Sequence, residues 1–217
     1  MSHETGSPCV PPPAGGSSDP AEGPRAVLAP LLTRQSLGGK HLIEPGPSDD
    51  ELAQMAAVAL RAPDHGELAP FRFAVVRGEA REALAALFRQ AALEAGKDEA
   101  DAELDADRAR RAPVTVAVLA RIDLGHPQVP AHEQWMAVGG ALANWMNAAH
   151  LLGYAGKMLS GRKVRSPRLQ QAFCGAGETL VGWVSLGTAS RPLGARRSKV
   201  GTEAVLTSWS AASGWQP

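Results

Sequence analysis

The sequence has no excess of charge of either sign. Its 217 residues contain 22 Lys plus Arg and 22 Asp plus Glu, so the formal net charge is zero. Nucleic acids and anionic membrane surfaces are bound mainly through an excess of positive charge, and neither is predicted as a partner. Any basic group that matters for function must therefore act locally.

Cysteine and long apolar runs are also scarce. The chain has two cysteines, Cys9 and Cys174, which is more typical of a reducing compartment than of a disulfide framework. No uninterrupted apolar run approaches the ~18 residues of a membrane span, and the N-terminus lacks the basic start and apolar core of a signal peptide. We expect a soluble cytoplasmic protein in which Cys174 is a small core residue.

The motifs of several large enzyme classes are missing. There is no GxGxxG after a strand and no GxxxxGK[ST], so neither a dinucleotide fold nor a phosphate-binding P-loop is supported. GxSxG, HExxH and CxxC are absent as well. His126 and His132 flank one loop without a third residue at metal-ligand spacing. The sequence therefore predicts no metal site and singles out no catalytic side chain.

The first 24 residues differ in composition from the rest. They are rich in Pro, Gly and Ser, and such a segment has too little apolar surface to offset the entropy lost on ordering. We predict a disordered tail over residues 1–24 and a single domain over residues 25–217.

Helical and strand patterns alternate through the domain. Ser48 and Glu51 have the spacing of a capping box and predict a helix over residues 48–60. Helical spacing recurs over residues 79–96, and Ser166 with Pro167 begins a short helix. Three apolar runs predict core strands: residues 71–76, 114–120 and 179–187. The charged stretch 97–112 predicts a solvated helix or loop. The fold class is mixed, α+β or α/β.

A long helix is predicted over residues 132–153, and it is apolar or small on nearly every face. A helix of this kind must be buried. Two locations satisfy that requirement: a subunit interface, or the centre of one subunit.

Four polar clusters lie at predicted loops: TRQS (33–36), RAPDH (61–65), KMLSGRK (157–163) and GARRSK (194–199). Each has an ordinary structural explanation, such as a helix end or a solvated basic run. Three of them are basic, however, and a phosphate is bound by Arg guanidinium groups and short hydroxyl donors. Arg34 and Ser36 supply one of each, so the clusters together suit an anionic cofactor.

These clusters, with HEQW, GYAGKMLSG and the closing VGWVSLGT, resemble the nitroreductase family over residues 27–193. The resemblance implies an α+β fold, a three-layer sandwich whose central mixed, mostly antiparallel sheet is flanked by helices, in a domain-entwined homodimer. It further implies FMN at the subunit interface. Hydride would pass from NADH or NADPH through FMN to a nitro compound, a quinone or a similar small acceptor, by a ping-pong mechanism.

The family's motifs assign FMN-binding roles to individual positions. The Arg-x-Ser segment would grip the phosphate and ribityl chain, the RAPDH loop would contact the flavin, and the MLSG loop would lie against the ring near N5. Arg61, with Lys40 behind it, is the candidate for stabilising anionic reduced FMN. A late basic pair would reach the phosphate. The predicted FMN-binding residues are Arg34, Gln35, Ser36, Arg61, His65, Met158, Leu159, Ser160, Gly161, Arg196 and Arg197.

The sequence departs from the family at three positions. Gln35 replaces a basic residue, Leu159 stands where relatives carry Arg, and Ala69 replaces a common Gln. As a hypothesis, Arg162 and Lys163 restore the lost charge. Two further functions stay open at this point: an FMN-binding dimer without turnover, which stores flavin or serves a partner, and a flavin-free structural dimer.

Overall fold

The computed structural model describes residues 23–194 and 198–209. The predicted tail lies outside these residues, apart from its last two, which begin the first helix. Arg196 and Arg197 also lie outside them. The helices are α1 Gly23–Thr33, α2 Asp49–Ala59, α3 Ala80–Glu94, α4 Glu99–Arg110, α5 Ala131–Leu151 and α6 Pro167–Phe173. The strands are β1 Leu42–Ile43, β2 Phe71–Arg77, β3 Val114–Ala120, β4 Ala155–Leu159 and β5 Thr179–Ala189.

Helix α2 begins with the predicted capping box. The Ser48 hydroxyl accepts a hydrogen bond from the Glu51 backbone N–H, and the Glu51 carboxylate accepts one from the Ser48 backbone N–H at 2.8 Å. Tyr154 also donates to Glu51, at 2.8 Å. The cap therefore satisfies two helix-end donors and ties α2 to the segment that follows α5.

The sheet has five strands and is built around β5. Strand β3 pairs with one edge of β5, and β2 pairs with the outer edge of β3. On the other edge of β5, β4 pairs with one stretch of the strand and β1 pairs with the two residues that follow it. All these pairs are antiparallel, and a single parallel bridge joins Ser36 to Gly156. Two strands were not predicted: the two-residue β1, and β4, which occupies a segment predicted as a loop.

The helices form two layers on opposite faces of the sheet. Helices α2 and α5 pack on the face that carries Val116, Val118 and Val184. Helices α3, α4 and α6 pack on the other face, against Ala117, Leu119 and Leu180. Strand β3 is buried along its whole length, as its continuous apolar sequence predicts. The three-layer α+β prediction is confirmed.

The charged stretch was predicted as merely solvated, and that prediction is wrong for one face of α4. Ala102, Asp105, Ala106 and Ala109 are buried against α3 and the sheet. Small residues at helical spacing let α4 approach its neighbours closely, while its other charges face solvent. The carboxylate of Asp105 is completely buried.

Within residues 23–194 and 198–209, no helix is long and apolar enough to cross a membrane. The same residues contain no group of three or more His, Cys, Asp or Glu side chains that could hold a metal ion.

Candidate functional site

A cavity of about 200 Å³ lies where the segment after α1, the C-terminal half of α5 and β4 meet. Arg34 and Ser36 form its polar side. The opposite side is formed by one face of α5 and by one side chain of β4. The lining residues are Arg34, Ser36, Leu142, Ala143, Met146, Asn147 and Met158.

The α1 end of the cavity is fixed by contacts to α5. The Nε2 atom of His150 lies 2.8 Å from the Pro30 carbonyl oxygen and 3.2 Å from the Thr33 hydroxyl. Because α1 ends at Thr33, these contacts place the next residue, Arg34, beside α5. His150 is thus engaged with the end of α1.

The Ser36 end is fixed by β4. Ser36 forms the parallel bridge with Gly156, and the Leu37 N–H donates to the Gly156 carbonyl at 3.0 Å. A Cβ atom on Gly156 would lie 2.6 Å from the Ser185 carbonyl oxygen, so only glycine allows β4 to pack this closely on β5. Arg34 and Ser36 are therefore held on a rigid edge of the sheet.

The side chains of Arg34 and Ser36 donate to no acceptor among the described residues. The Arg34 guanidinium makes no salt bridge with any residue that the structure describes. The side chain of Gln35, in contrast, donates from Nε2 to the Gly194 carbonyl at 2.7 Å. The Gln35 amide is thus engaged with the segment after β5, while its two neighbours line the cavity.

The predicted MLSG loop divides into a strand and a turn. Met158 and Leu159 end β4, which corrects the prediction that both lie in a loop. Met158 lines the cavity and Leu159 is exposed. The Ser160 hydroxyl donates to the Val181 carbonyl at 3.0 Å. Gly161 has φ +122°, a backbone conformation that favours glycine.

The RAPDH loop does not line this cavity. Arg61 follows the end of α2, where Ala62 packs beside Gly140 of α5. His65 pairs with Glu133 at 2.7 Å, at the N-terminal end of α5. The cavity-lining residues of α5, Leu142 to Asn147, lie about 14–21 Å along the helix from Glu133. One chain therefore places His65 and the cavity at opposite ends of α5.

Lys163, one of the two residues in the hypothesis of restored charge, is already paired within the chain. Its ammonium group lies 3.0 Å from the buried Asp105 carboxylate and 4.4 Å from the centre of the Phe88 ring. Burial lowers the pKa of Lys163, and Asp105 opposes this effect. Arg162 is exposed and makes no salt bridge with the described residues, so it alone could act as a free cation.

The α5 residues of the cavity were not predicted as site residues, because the helix was interpreted only as an apolar stripe. Asn147 gave a usable signal, since it is a polar side chain within an otherwise apolar helical turn. A second cavity of about 380 Å³ lies between α2 and β2 and was also missed. It is lined mainly by apolar side chains, with Trp145 among them, and the Trp145 indole N–H has no acceptor within the described residues.

Comparison with known proteins settles the family. The sequence model of the nitroreductase family matches residues 42–188, more than half of the chain. The chain belongs to the nitroreductase family. It is 35% identical over 163 residues to the Escherichia coli (strain K12) protein named "Putative NAD(P)H nitroreductase YdjA", covering 75% of this chain and 87% of that protein. A Haemophilus influenzae protein named "Putative NAD(P)H nitroreductase" is 33% identical, covering 75% of this chain and 88% of that protein.

Solved structures agree on the fold. A nitroreductase-like family protein from Bacillus cereus superposes with a TM-score of 0.71 at 17% identity, over 84% of this chain and 95% of that one. A Desulfovibrio desulfuricans protein described as "a putative nitroreductase in complex with fmn" gives a TM-score of 0.62 at 20% identity, over 88% of this chain and 98% of that one. Membership in the family, with these relatives, supports an oxidoreductase.

Proposed function

We propose that the protein binds FMN in the 200 Å³ cavity and passes hydride from NADPH or NADH to a small electrophilic acceptor by a ping-pong mechanism. The observation that carries this proposal is the convergence of Arg34, Ser36 and Met158 on one cavity. The names of the relatives, NAD(P)H nitroreductases, and the FMN complex of a structural neighbour support the same chemistry.

The residues present fit the cofactor. A phosphate monoester carries close to two negative charges and is bound best by Arg forks and hydroxyl donors, and Arg34 and Ser36 offer both without a competing carboxylate partner in the described chain. The wall formed by Leu142, Ala143 and Met158 is apolar and suits a flat aromatic ring. Nothing in the cavity opposes an anion.

FMN, when bound, supplies an N5 atom that accepts and returns hydride. The chain's own residues bind and orient. Arg34 and Ser36 would hold the phosphate, and Met158 would support the ring. The backbone N–H groups of Gly161 and Arg162 donate to no acceptor within the described residues and could face the ring edge. No side chain need act as an acid or base, since solvent can supply the proton.

We also propose that a second copy of the chain completes the site. The exposed face of α5 carries Trp135 and Met136, of which Met136 is 69% exposed. If two α5 helices pack antiparallel about Gly139, residue 135 of one lies opposite residue 143 of the other, by symmetry. Glu133, with its partner His65, then approaches the cavity of the second copy. This arrangement supplies the RAPDH contacts that one chain cannot provide.

The first experiment is an absorption spectrum of the purified protein, followed by anaerobic titration with NADPH and with NADH. We expect a flavin spectrum that bleaches with at least one donor. A bound flavin that neither donor reduces would leave an FMN-binding dimer without turnover. No flavin after incubation with FMN would refute the proposal.

Arg34→Ala tests the phosphate contact. We expect the FMN dissociation constant to rise about 10- to 100-fold, since a charge-assisted contact contributes about 1.5–3 kcal/mol. Arg121→Ala is the matched control, because Arg121 is exposed and lies at the other end of β5 from the cavity residue Met158. Arg121 follows β3 at the point where that strand pairs with Thr179 of β5, whereas Met158 pairs with Val184 of β5. Equal FMN affinity in both variants would remove Arg34 from the site.

Gly139→Leu tests the second copy. Gly139 is exposed, and a Cβ atom there meets no atom within 4 Å in the single chain, so we expect a monomer to tolerate the substitution. We expect wild-type protein to be a dimer by light scattering and Gly139→Leu to be a folded monomer with weakened FMN binding. Ala86→Leu, on the exposed face of α3, should leave both properties unchanged. A monomeric wild-type protein that binds FMN tightly would contradict the proposed dimer.

A further inference from the structure

The buried carboxylate of Asp105 joins three separate parts of the chain. Its oxygens lie 2.8 Å from Lys97 Nζ, 2.8 Å from Arg108 Nη1 and 3.0 Å from Lys163 Nζ. Lys97 belongs to the turn between α3 and α4, and Arg108 belongs to α4 itself. Lys163 is different, because it lies in the segment that follows β4.

A carboxylate with no solvent exposure is stable only when it is paired and hydrogen-bonded. Burial by itself would raise the pKa of Asp105, but the three cations outweigh burial and hold that pKa below its ordinary value. The group therefore stays ionised, and it requires its cations to stay in place. The position of Lys163 is fixed by the same requirement.

Lys163 is the second residue of the 3₁₀ helix Arg162–Arg165, which forms part of the turn after β4. At the start of this turn, the Ser160 hydroxyl donates to Val181 of β5. Further along, Lys163 reaches across the Phe88 ring to Asp105. Gly161 and Arg162 lie between these two anchors and are exposed. Two backbone hydrogen bonds complete the turn, from Val164 N–H to the Gly161 carbonyl at 3.3 Å and from Ser166 N–H to the Lys163 carbonyl at 2.9 Å.

We propose that Asp105 is a positioning residue for the flavin site: through Lys163 it fixes the Ser160–Arg162 turn beside the end of β4. The inference rests on the proposed function, because it gives this turn the task of presenting backbone N–H groups and the Arg162 guanidinium to FMN. Asp105 itself touches no cofactor. Its role is to hold one end of the turn from the opposite layer of the fold.

The two lysines on Asp105 provide a matched test. Lys163→Met and Lys97→Met each remove one ammonium group from the same carboxylate and keep a similar side-chain length. Only Lys163→Met releases the turn. Lys163→Arg, which can still pair with Asp105, is the conservative rescue. Asp105→Asn removes the anchor from the other side, and the lysine variants remain informative if Asp105→Asn does not fold.

The first readout is amide hydrogen exchange in the flavin-free protein. We expect Lys163→Met to speed exchange of the Val164 and Ser166 amides at least tenfold, whereas Lys97→Met changes them less than twofold and Lys163→Arg restores the slow rate. The second readout is FMN affinity by fluorescence titration, for which we expect about tenfold weaker binding in Lys163→Met only.

The outcomes separate this inference from the proposed function. If wild-type protein binds FMN and Lys163→Met matches Lys97→Met in both readouts, the positioning role is overturned and the proposed function stands. Faster exchange with unchanged FMN affinity would also overturn it, because the turn would then be anchored without serving the cofactor. If wild-type protein binds no FMN, the proposed function fails and the role of Asp105 at a flavin site fails with it.

Discussion

Replacing Gly182 by alanine should displace the end of β4 and so disturb the proposed flavin site. Gly182 lies in β5, next to the point where Leu159 of β4 pairs with Trp183. An added Cβ would lie 2.5 Å from the Met158 Cε atom and would also overlap the Leu159 carbonyl oxygen. The methionine end can rotate away, but the carbonyl belongs to the strand backbone. The end of β4 must therefore move.

The size of the movement follows from contact distances. Non-bonded heavy atoms are most stable at about 3.5–4.0 Å, so relief of the overlap requires a shift of roughly 1 Å at Leu159. Overpacking of this kind costs about 1–3 kcal/mol of unfolding free energy. A misplacement of about 1 Å can also reduce a reaction rate up to about 100-fold. Because Met158 and Ser160 flank the displaced carbonyl, we expect both effects.

Urea unfolding and stopped-flow reduction of the bound flavin by NADPH or NADH measure the two effects separately. Gly38→Ala is the control, since Gly38 has an extended backbone at φ −70° and ψ 149°, and no atom lies within 4 Å of its added Cβ. We expect that control to be neutral or slightly stabilising. Wild-type stability together with a wild-type reduction rate in Gly182→Ala would refute this account of β4.

Three further predictions concern stability and reactivity. The hydrogen-bonded Arg72 guanidinium lowers the pKa of Glu178 from 4.5 to about 2. A shift of this size corresponds to about 3 kcal/mol of folding stability. Solvent screening of the half-exposed arginine reduces that contribution to roughly 1–2 kcal/mol. This stability is present above pH 4.5 and is lost as the pH falls towards 2, so urea unfolding across that range should show a steeper loss in wild-type protein than in Glu178→Gln. Ser48→Ala should lower the urea unfolding free energy by about 1 kcal/mol, because it removes the side-chain half of the capping box of α2, and an unchanged midpoint would contradict that role. Burial raises the pKa of the Cys174 thiol, so iodoacetamide should label Cys174 at pH 7.5 more slowly than free cysteine, and equal rates would show that the thiol is accessible.

The elements with strong local signals were predictable from the sequence. The capping box defined the start of α2, and a seven-residue apolar run defined β3 as a strand buried on both faces. Strand β4 gave no such signal, because it is short and combines Gly and Lys with only a few apolar residues. It becomes a strand through its pairing with β5 and its bridge to Ser36, which are contacts between distant parts of the chain.

The same limit applies to the site. Arg34, Ser36 and Met158 were predicted and do line one cavity. The burial of Asp105 could not be predicted, because charged residues recur throughout α4 and two of the three cations that pair with Asp105 come from other segments. His65 was assigned to the cofactor from its motif, yet in one chain its partner Glu133 lies about 14–21 Å along α5 from the residues that line the cavity. A motif identifies which residues serve a cofactor without specifying which copy of the chain supplies them.

The distribution of ion pairs explains how a protein of zero net charge can offer an anion site. Helix α4 is rich in carboxylates, and these pair with basic residues of the α3, α4 and α6 layer and with Lys163. Arg168 of that layer pairs with Glu94 of α3. On the opposite side of the sheet, Arg34 lines the cavity and has no carboxylate partner within residues 23–194 and 198–209. Opposite charges thus pair around α4, while the Arg34 guanidinium beside the cavity has no carboxylate partner among the described residues. A balanced composition therefore argues against an extended polyanionic partner, but it leaves room for one phosphate group.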